Sequence, residues 1–584
     1  MKIIVLDAMT KFADAVAVMS RLGSRWAVAA VIGVALVIAL HSVTTGFITD
    51  DHAFRAFAQS TSDRAPAAWD LFRFAGGDPA TNALAIRFGH SPWWTAPDFR
   101  IHFARPLTSL LFAFDVHVFG DEPVAYHLHS LVWFAAFLVA AAACLRRMLS
   151  PVAATVALAV FAWHAGHAQA YAWPSARHVL VAGVPALWSL YLRLRGHRGW
   201  SLALFVVALG GGEIALGIVP FLIAYDIAEA DATTWRSAIA ASWRRTVPVI
   251  AVALVYLVVY HHLGFGAAGG GGYTDPVGDP AGFARVVVPH LATLLGDALL
   301  DVPAELAIGD HAAALAVAGA IAASIVAVLW WQTRRPTTPA PGWAIVGALG
   351  ATFVATTGIP GGRVLAIADL GFAALLGWLI VAAIETASGW SSRIAIAVLA
   401  LVHLVGSPLR AWLDIDLLAA RGRGTEVVAH DAVDLARGRR LFVIAASDPF
   451  VFLYPRGVAA DVEPGAIRCW SVISAARSAH RIMRIDDHSF SVTALDRPML
   501  AGFDALFRRR DEPLAVGDTA DQCGASIRVT ELRDGLPSAV TVTFRRRLDD
   551  PELVFATWRD GALVPLDLHG TVDVPWSPGP GRFL

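Results

Sequence analysis

The run WAVAAVIGVALVIALHSV at residues 26–43, followed directly by TTGFITDDH at 44–52, decides how the rest of the chain is read. It holds no acidic side chain and no lysine or arginine, and its length approaches the roughly 20 apolar residues that a helix needs to cross a bilayer core. Lys11, Arg21 and Arg25 precede it. It is longer than a signal-peptide core, lacks a small-residue cleavage site and is followed by many more apolar runs, so it reads as a retained signal anchor.

Composition extends that reading to the whole chain. Of 584 residues, 56% are hydrophobic and 16% charged, against about 45–50% and about 25% in an ordinary soluble domain. Such a chain cannot hide its apolar surface from water. With 46 Lys plus Arg against 47 Asp plus Glu, no global field draws it to nucleic acid, and lipid is the partner it needs. Further apolar runs at 126–145, 152–164, 179–194, 202–212, 214–227, 247–261, 312–331, 343–357, 364–384 and 394–405 predict a mainly α, polytopic body of about eleven spans over 1–410. A long external loop, 44–105, follows the first span.

From about Thr425 the pattern changes to short alternating runs at 441–446, 489–494, 526–532, 540–545 and 553–558, which predict strands. Asp534-Gly535 and Asp560-Gly561 supply hairpin turns, because glycine accepts the positive φ that such turns require. Residues 425–584 therefore read as a small β-rich soluble domain without a nucleophile, base or metal constellation, its Arg508-Arg509-Arg510 run a solvated face. Cys469 and Cys523 fall in this domain and are able to pair, whereas Cys144 lies in an apolar run.

Orientation follows from basic residues, which are retained on the cytoplasmic side. Arg146 and Arg147, then Arg193, Arg195 and Arg198, then Arg244 and Arg245, then Arg334 and Arg335, then Arg393 fall on one side if Met1 is cytoplasmic. The first loop, the glycine-rich segment 264–279 and the C-terminal domain then lie outside.

The polar residues that stand out fall on that face. Asp50, Asp51 and His52 follow the first span; a carboxylate at the membrane surface can accept a proton from a hydroxyl or hold a divalent cation, and otherwise caps a solvated helix end. Arg105, in Arg105-Pro106-Leu107, is able to clamp a phosphate through paired donors or to snorkel to the headgroups; Arg363 has the same two readings. Tyr126, His127 and His129 open the second span. The segment His164-Ala-Gly-His167-Ala-Gln169, with Trp173, Arg177 and His178 beyond it, bridges two spans. With no third ligand nearby in sequence, His164 and His167 read as hydrogen-bonded interface histidines rather than a zinc site. Glu213, within apolar surroundings, is either functional or paired with an arginine to lock two helices.

In order, these motifs resemble the GT-C superfamily of membrane glycosyltransferases: an acidic pair after span one, Arg-Pro-Leu, Tyr-His-Leu, the histidine loop ending Trp-x-x-x-Arg, a Glu between spans and a late Arg-Val-Leu. The resemblance spans about 48–371 and is greatest to the membrane portion of tetratricopeptide-repeat O-mannosyltransferases and their bacterial relatives. It implies an inner-membrane enzyme of bacterial type that moves a sugar, with inversion, from a polyprenyl-phosphate donor to an acceptor glycan, lipid or protein on the extracytoplasmic face. It further implies a first-loop carboxylate as base, Asp50 or Asp51. Arg105, Arg177 and Arg363 are then the expected donor-phosphate contacts, with His52, His127, His164, His167, Trp173 and Glu213 in support. The sequence departs from the family at Ser130, Phe134 and Gln169, the last replacing a glutamate and weakening any metal site there; the only cofactor left open is a divalent cation. No tetratricopeptide repeat is visible. The other reading of the same features is a non-catalytic lipid-phosphate transporter or an envelope-assembly scaffold.

Overall fold

The computed structural model describes residues 23–60, 65–230, 232–308, 311–332, 341–386, 390–446, 452 and 455–579. Four of the orientation markers, Lys11, Arg21, Arg334 and Arg335, lie outside the described residues. Among the described residues, six helical stretches are long and apolar enough to cross a bilayer: Arg25–Thr44, Pro123–Met148, Trp235–His262, Pro280–Leu300, Ala312–Trp331 and Ile394–Ala436. A seventh is the pair Pro151–Ala162 and Ala165–Ala172, bent by 51°. Shorter apolar helices, among them Pro106–Phe119, Arg198–Gly211, Gly342–Ala355 and Asp369–Ala382, pack between them.

The expected count of about eleven crossings is not confirmed among the described residues. The run expected at 214–227 starts as a 3₁₀ turn, Glu213–Ile218, before the helix Val219–Ala228. Helices Pro106–Phe119 and Pro280–Leu300 were not anticipated, because Asp115 and His117 in one, and Pro289, His290 and Asp297 in the other, interrupt their apolar windows. Folding satisfies what hydropathy penalises: buried Asp115 meets His129 at 2.6 Å and the guanidinium of Arg177.

Large apolar side chains such as Val37, Leu254, Val258, Val317, Ile321 and Leu413 are more than half exposed. In water such a surface would drive aggregation; facing acyl chains it has no such cost. The chain is an integral membrane protein. Inside the body, small residues let helices approach closely, as in membrane bundles generally. Helix Pro280–Leu300 meets helix Ala312–Gln332 at Gly296 and Gly319, where a Cβ on Gly319 would stand 1.7 Å from the Ala292 carbonyl oxygen.

The last span does not stop near Arg410. A π-helical turn, Val402–Gly406, joins it to the helix Ser407–Ala436, which runs straight into the C-terminal domain through Arg437 and Gly438, both with positive φ. Two sheets follow. One holds four strands in the order β12-β11-β4-β5 (Ala562–Pro565, Leu553–Arg559, Arg439–Ala445, Ile467–Ser474), with β4 parallel to both neighbours. The other is antiparallel, β13-β6-β7-β10-β9-β8 (Thr571–Val574, His480–Arg484, Ser489–Ala494, Leu536–Phe544, Ala525–Arg533, Thr519–Gln522). Asp534 and Gly535, and Asp560 and Gly561, all have positive φ and close the β9-β10 and β11-β12 hairpins. Cys469 and Cys523 form a disulfide between β5 and the turn after β8.

This domain is not a freely tethered module. Trp93 and Trp94 of the first loop bury in its core, their indole N–H groups donating to the carbonyls of Ile473 and Asp504 at 2.9 Å each. The basic run expected to be a solvated face is part of the same joint. The Arg508 side chain donates to the carbonyls of Trp94 (2.8 Å) and Thr95 (3.3 Å), and Arg509 pairs with Asp511 and Asp279. Strands β1 (Arg73–Gly76), β2 (Arg100–His102) and β3 (Gly266–Ala268) form a small antiparallel sheet that joins the first loop to the glycine-rich segment. Both loops and the C-terminal domain thus share one end of the body.

Candidate active site

At that end lies a cavity of about 1140 Å³, lined by the helix Asp50–Gln59, the bent span, the glycine-rich segment and the C-terminal domain. Thr49 enters the helix at φ 38°, placing Asp50 and Asp51 in its first turn, where the positive end of the helix dipole favours carboxylates. Consecutive helical residues point about 100° apart, and the pair is divided accordingly. Asp50 lines the cavity. Asp51 is fully buried; its Oδ2 accepts the Ile48 N–H and its Oδ1 the Ser175 N–H, both at 2.8 Å, together with the Ser175 hydroxyl. Burial outweighs these hydrogen bonds and pushes its pKa up to about 6. Asp51 thereby braces the end of span one against the segment 173–177, while its neighbour faces the cavity.

Arg105 and Arg363 also line the cavity, as do His52, Gln169, Trp173 and Glu213. Arg105 forms a two-pronged ion pair with Glu213, Nε to Oε2 at 3.0 Å and Nη2 to Oε1. Its guanidinium lies over the Phe72 and Phe103 rings at 4.7 and 4.5 Å. Glu213 thus pairs with an arginine, one of its two readings. Arg363 donates to Gln169 Oε1 at 2.8 Å and stands 5.8 Å from the Trp173 ring; the amide of Gln169 donates to Glu305 at 3.1 Å. Tyr273 lies within electrostatic reach of Arg363, Arg105, Asp50 and Glu213 together. The remaining walls include Phe72, Phe74, Phe99, Phe103, Tyr256 and Tyr260.

Besides Asp51, four expected site residues lie away from the cavity. Arg177 is not at the cavity: it is 2% exposed and its donors are taken by Ser130 Oγ (2.8 Å), the Tyr126 carbonyl (2.8 Å) and Asp115. The reason is local, since the 3₁₀ turn Pro174–Arg177 directs it into the bundle. The side chain of Ser130 is one of its partners. His127 is buried between Thr45 Oγ1 and the Gly46 carbonyl, each 2.9 Å from Nε2. His164 and His167 belong to a separate buried cluster. The cavity residues missed in sequence include Tyr256, Tyr260, Tyr273, Glu305 and Asp414. Glu305 and Asp414 carried a signal, each as a carboxylate after an apolar stretch.

No family model and no curated protein matches the chain. Among solved structures it is similar to ArnT from Cupriavidus metallidurans bound to undecaprenyl phosphate, at 14% identity and a TM-score of 0.37, covering 76% of this chain and 89% of that one. It is also similar to the Archaeoglobus fulgidus oligosaccharyltransferase tethered to an acceptor peptide, at 11% identity and a TM-score of 0.41, covering 77% of this chain and 64% of that one. At this level of similarity they carry no weight in assigning the site, which rests on its own residues.

Proposed function

We propose that the protein is a glycosyltransferase that moves a sugar from a polyprenyl-phosphate carrier to an acceptor on the extracytoplasmic face, with inversion. The observation that carries this reading is that Asp50 shares one aromatic-walled cavity with Arg105 and Arg363. In the reaction the acceptor oxygen attacks the anomeric carbon, Asp50 takes its proton, and the bonding pair of the anomeric C–O bond leaves on the carrier phosphate. Arg105 and Arg363 offset the charge that builds on that leaving group. Glu213 and Gln169 hold the two guanidinium groups in place before substrate arrives, and Asp51 fixes the turn that presents Asp50. Aromatic walls suit both an isoprenoid chain and the apolar face of a sugar. The disulfide Cys469–Cys523 favours an oxidising compartment for the cavity end of the molecule.

The test is Asp50→Asn in full-length protein reconstituted in vesicles with a polyprenyl-phosphate sugar and an acceptor pool, following release of free polyprenyl phosphate. Turnover falls about 10²- to 10⁴-fold, the range for losing a general base, while donor binding persists. Wild-type turnover in the variant refutes Asp50 as base. Lipid translocation without any sugar transfer by the wild type would establish the transporter reading instead.

A further inference from the structure

A second polar cluster lies inside the body, among residues that do not line the cavity. The bend of the broken span carries His164 and, one short turn on, His167; the helix Asp369–Thr386 begins with Asp369. They are 4%, 0% and 3% exposed. Asp369 Oδ2 stands 3.6 Å from His164 Nδ1 and 3.9 Å from His167 Nε2, too far for hydrogen bonds. His164 Nδ1, His167 Nε2 and both carboxylate oxygens of Asp369 have no hydrogen-bond partner. Buried polar atoms are almost always paired, so three unpaired atoms that face one another, His164 Nδ1, His167 Nε2 and Asp369 Oδ2, call for a partner that all of them accept. Two atoms bonded to one tetrahedral cation at about 2.0–2.1 Å stand roughly 3.3 Å apart, so a small contraction would bring these donors onto a common ion.

We propose that His164, His167 and Asp369 bind a divalent transition-metal cation, with Zn²⁺ the ion that two imidazoles and a carboxylate suit best. The surroundings prepare His164 for it. Its other nitrogen, Nε2, faces the Asp297 carbonyl oxygen at 3.3 Å and the carboxylates of Asp297 and Asp301 at 3.6 and 3.5 Å. That nitrogen carries the proton, which leaves the lone pair on Nδ1; a metal-bound histidine is commonly oriented in this way by a carbonyl or carboxylate. The backbone closes over the site: a Cβ on Gly166 would lie 2.8 Å from His164 Nδ1 and 2.9 Å from Gly362 Cα. His164, Asp297 and Asp301 also have metal-like spacing, but Arg410 already approaches Asp301 at 2.9 Å and Asp297 at 3.7 Å. Among the described residues, the basic side chains within 4 Å of Asp369 are His164 and His167, so the cation belongs on the Asp369 side.

The site ties the bend of the broken span to the start of the Asp369 helix. Gln169 in the helix Ala168–Ala172 directly after His167, and Arg363 in the turn Gly362–Leu365 shortly before Asp369, line the cavity. Its role is to hold the cavity floor, and it does not depend on the proposed transfer reaction.

The test is elemental analysis of full-length protein purified in detergent without chelator. One divalent metal per chain is expected. His167→Ala and, separately, Asp369→Asn lower the metal content tenfold or more, whereas the same loss at exposed His569 leaves it unchanged. In the wild type, chelator lowers the unfolding midpoint and added Zn²⁺ restores it; Co²⁺ loading gives the visible bands of a tetrahedral N/O site. Metal-free wild-type protein whose midpoint responds to neither chelator nor Zn²⁺ overturns the proposal, as does metal content that survives in folded His167→Ala protein. Should either variant fail to fold, the wild-type chelation and restoration measurements decide the question alone.

Discussion

Replacing Asp51 by asparagine tests whether burial or hydrogen bonding dominates at the turn that presents Asp50. The wild-type carboxylate is fully buried and accepts from Ile48, from Ser175 N–H and from the Ser175 hydroxyl, yet its pKa rises from 3.8 to about 6. A pKa raised on folding means that the native state holds the proton more tightly than the unfolded chain. The resulting stabilisation is fully present below pH 3.8 and is lost as pH rises through 6. Over the full window this amounts to about 3 kcal/mol, and to roughly 2 kcal/mol between about pH 4.5 and about pH 7.5. Asparagine resembles the protonated acid in shape and does not titrate. Denaturant unfolding of both proteins in detergent, at these two pH values, should therefore show the variant gaining on the wild type by about 2 kcal/mol at the higher pH. A gap constant to within about 0.5 kcal/mol, the scale of an ordinary surface substitution, would refute the reasoning. A shift of opposite sign would show that the hydrogen bonds outweigh burial and that Asp51 is a stabilising anion.

Arg363→Ala removes a guanidinium held by Gln169; with one charged hydrogen bond to phosphate lost, the donor KM should rise about 10- to 100-fold, with a smaller change in kcat, in the vesicle assay. Arg193 and Asp226 form a buried two-pronged pair inside the body, Nε to Oδ1 at 2.9 Å and Nη2 to Oδ2. Asp226→Ala strands the guanidinium and should cost about 3–5 kcal/mol, read as a lower unfolding midpoint with turnover per folded molecule unchanged. Replacing Cys469 and Cys523 together by serine opens a link across 54 residues of chain and should cost about 2–5 kcal/mol. The loss should appear as protease cleavage between 439 and 579, while the helical body stays intact.

Residues determined by their own neighbours were legible in the sequence. Apolar length marked Arg25–Thr44 and Pro123–Met148 within a few residues, because a helix in lipid satisfies its own backbone and needs only a sufficient apolar run. Asp534-Gly535 and Asp560-Gly561 gave their hairpins away, because positive φ is a local demand. Asp50, Asp51, Arg105, Arg177 and Arg363 could all be named as candidates from the resemblance and their order along the chain. What each charge is bound to could not. Arg177 and Arg105 look equivalent in sequence, yet one is spent on Asp115 and Ser130 inside the bundle and the other faces the cavity. Helix Pro280–Leu300 and the third member of the histidine cluster, Asp369, stayed hidden for the same reason. A buried ionisable group is tolerated only through partners from distant segments, and hydropathy records its cost without recording what offsets it. The sequence alone determined that this is a helical membrane chain with a β-rich end. Only the tertiary structure, by deciding which distant groups meet without water, divided its charged residues among cavity, brace and buried cluster.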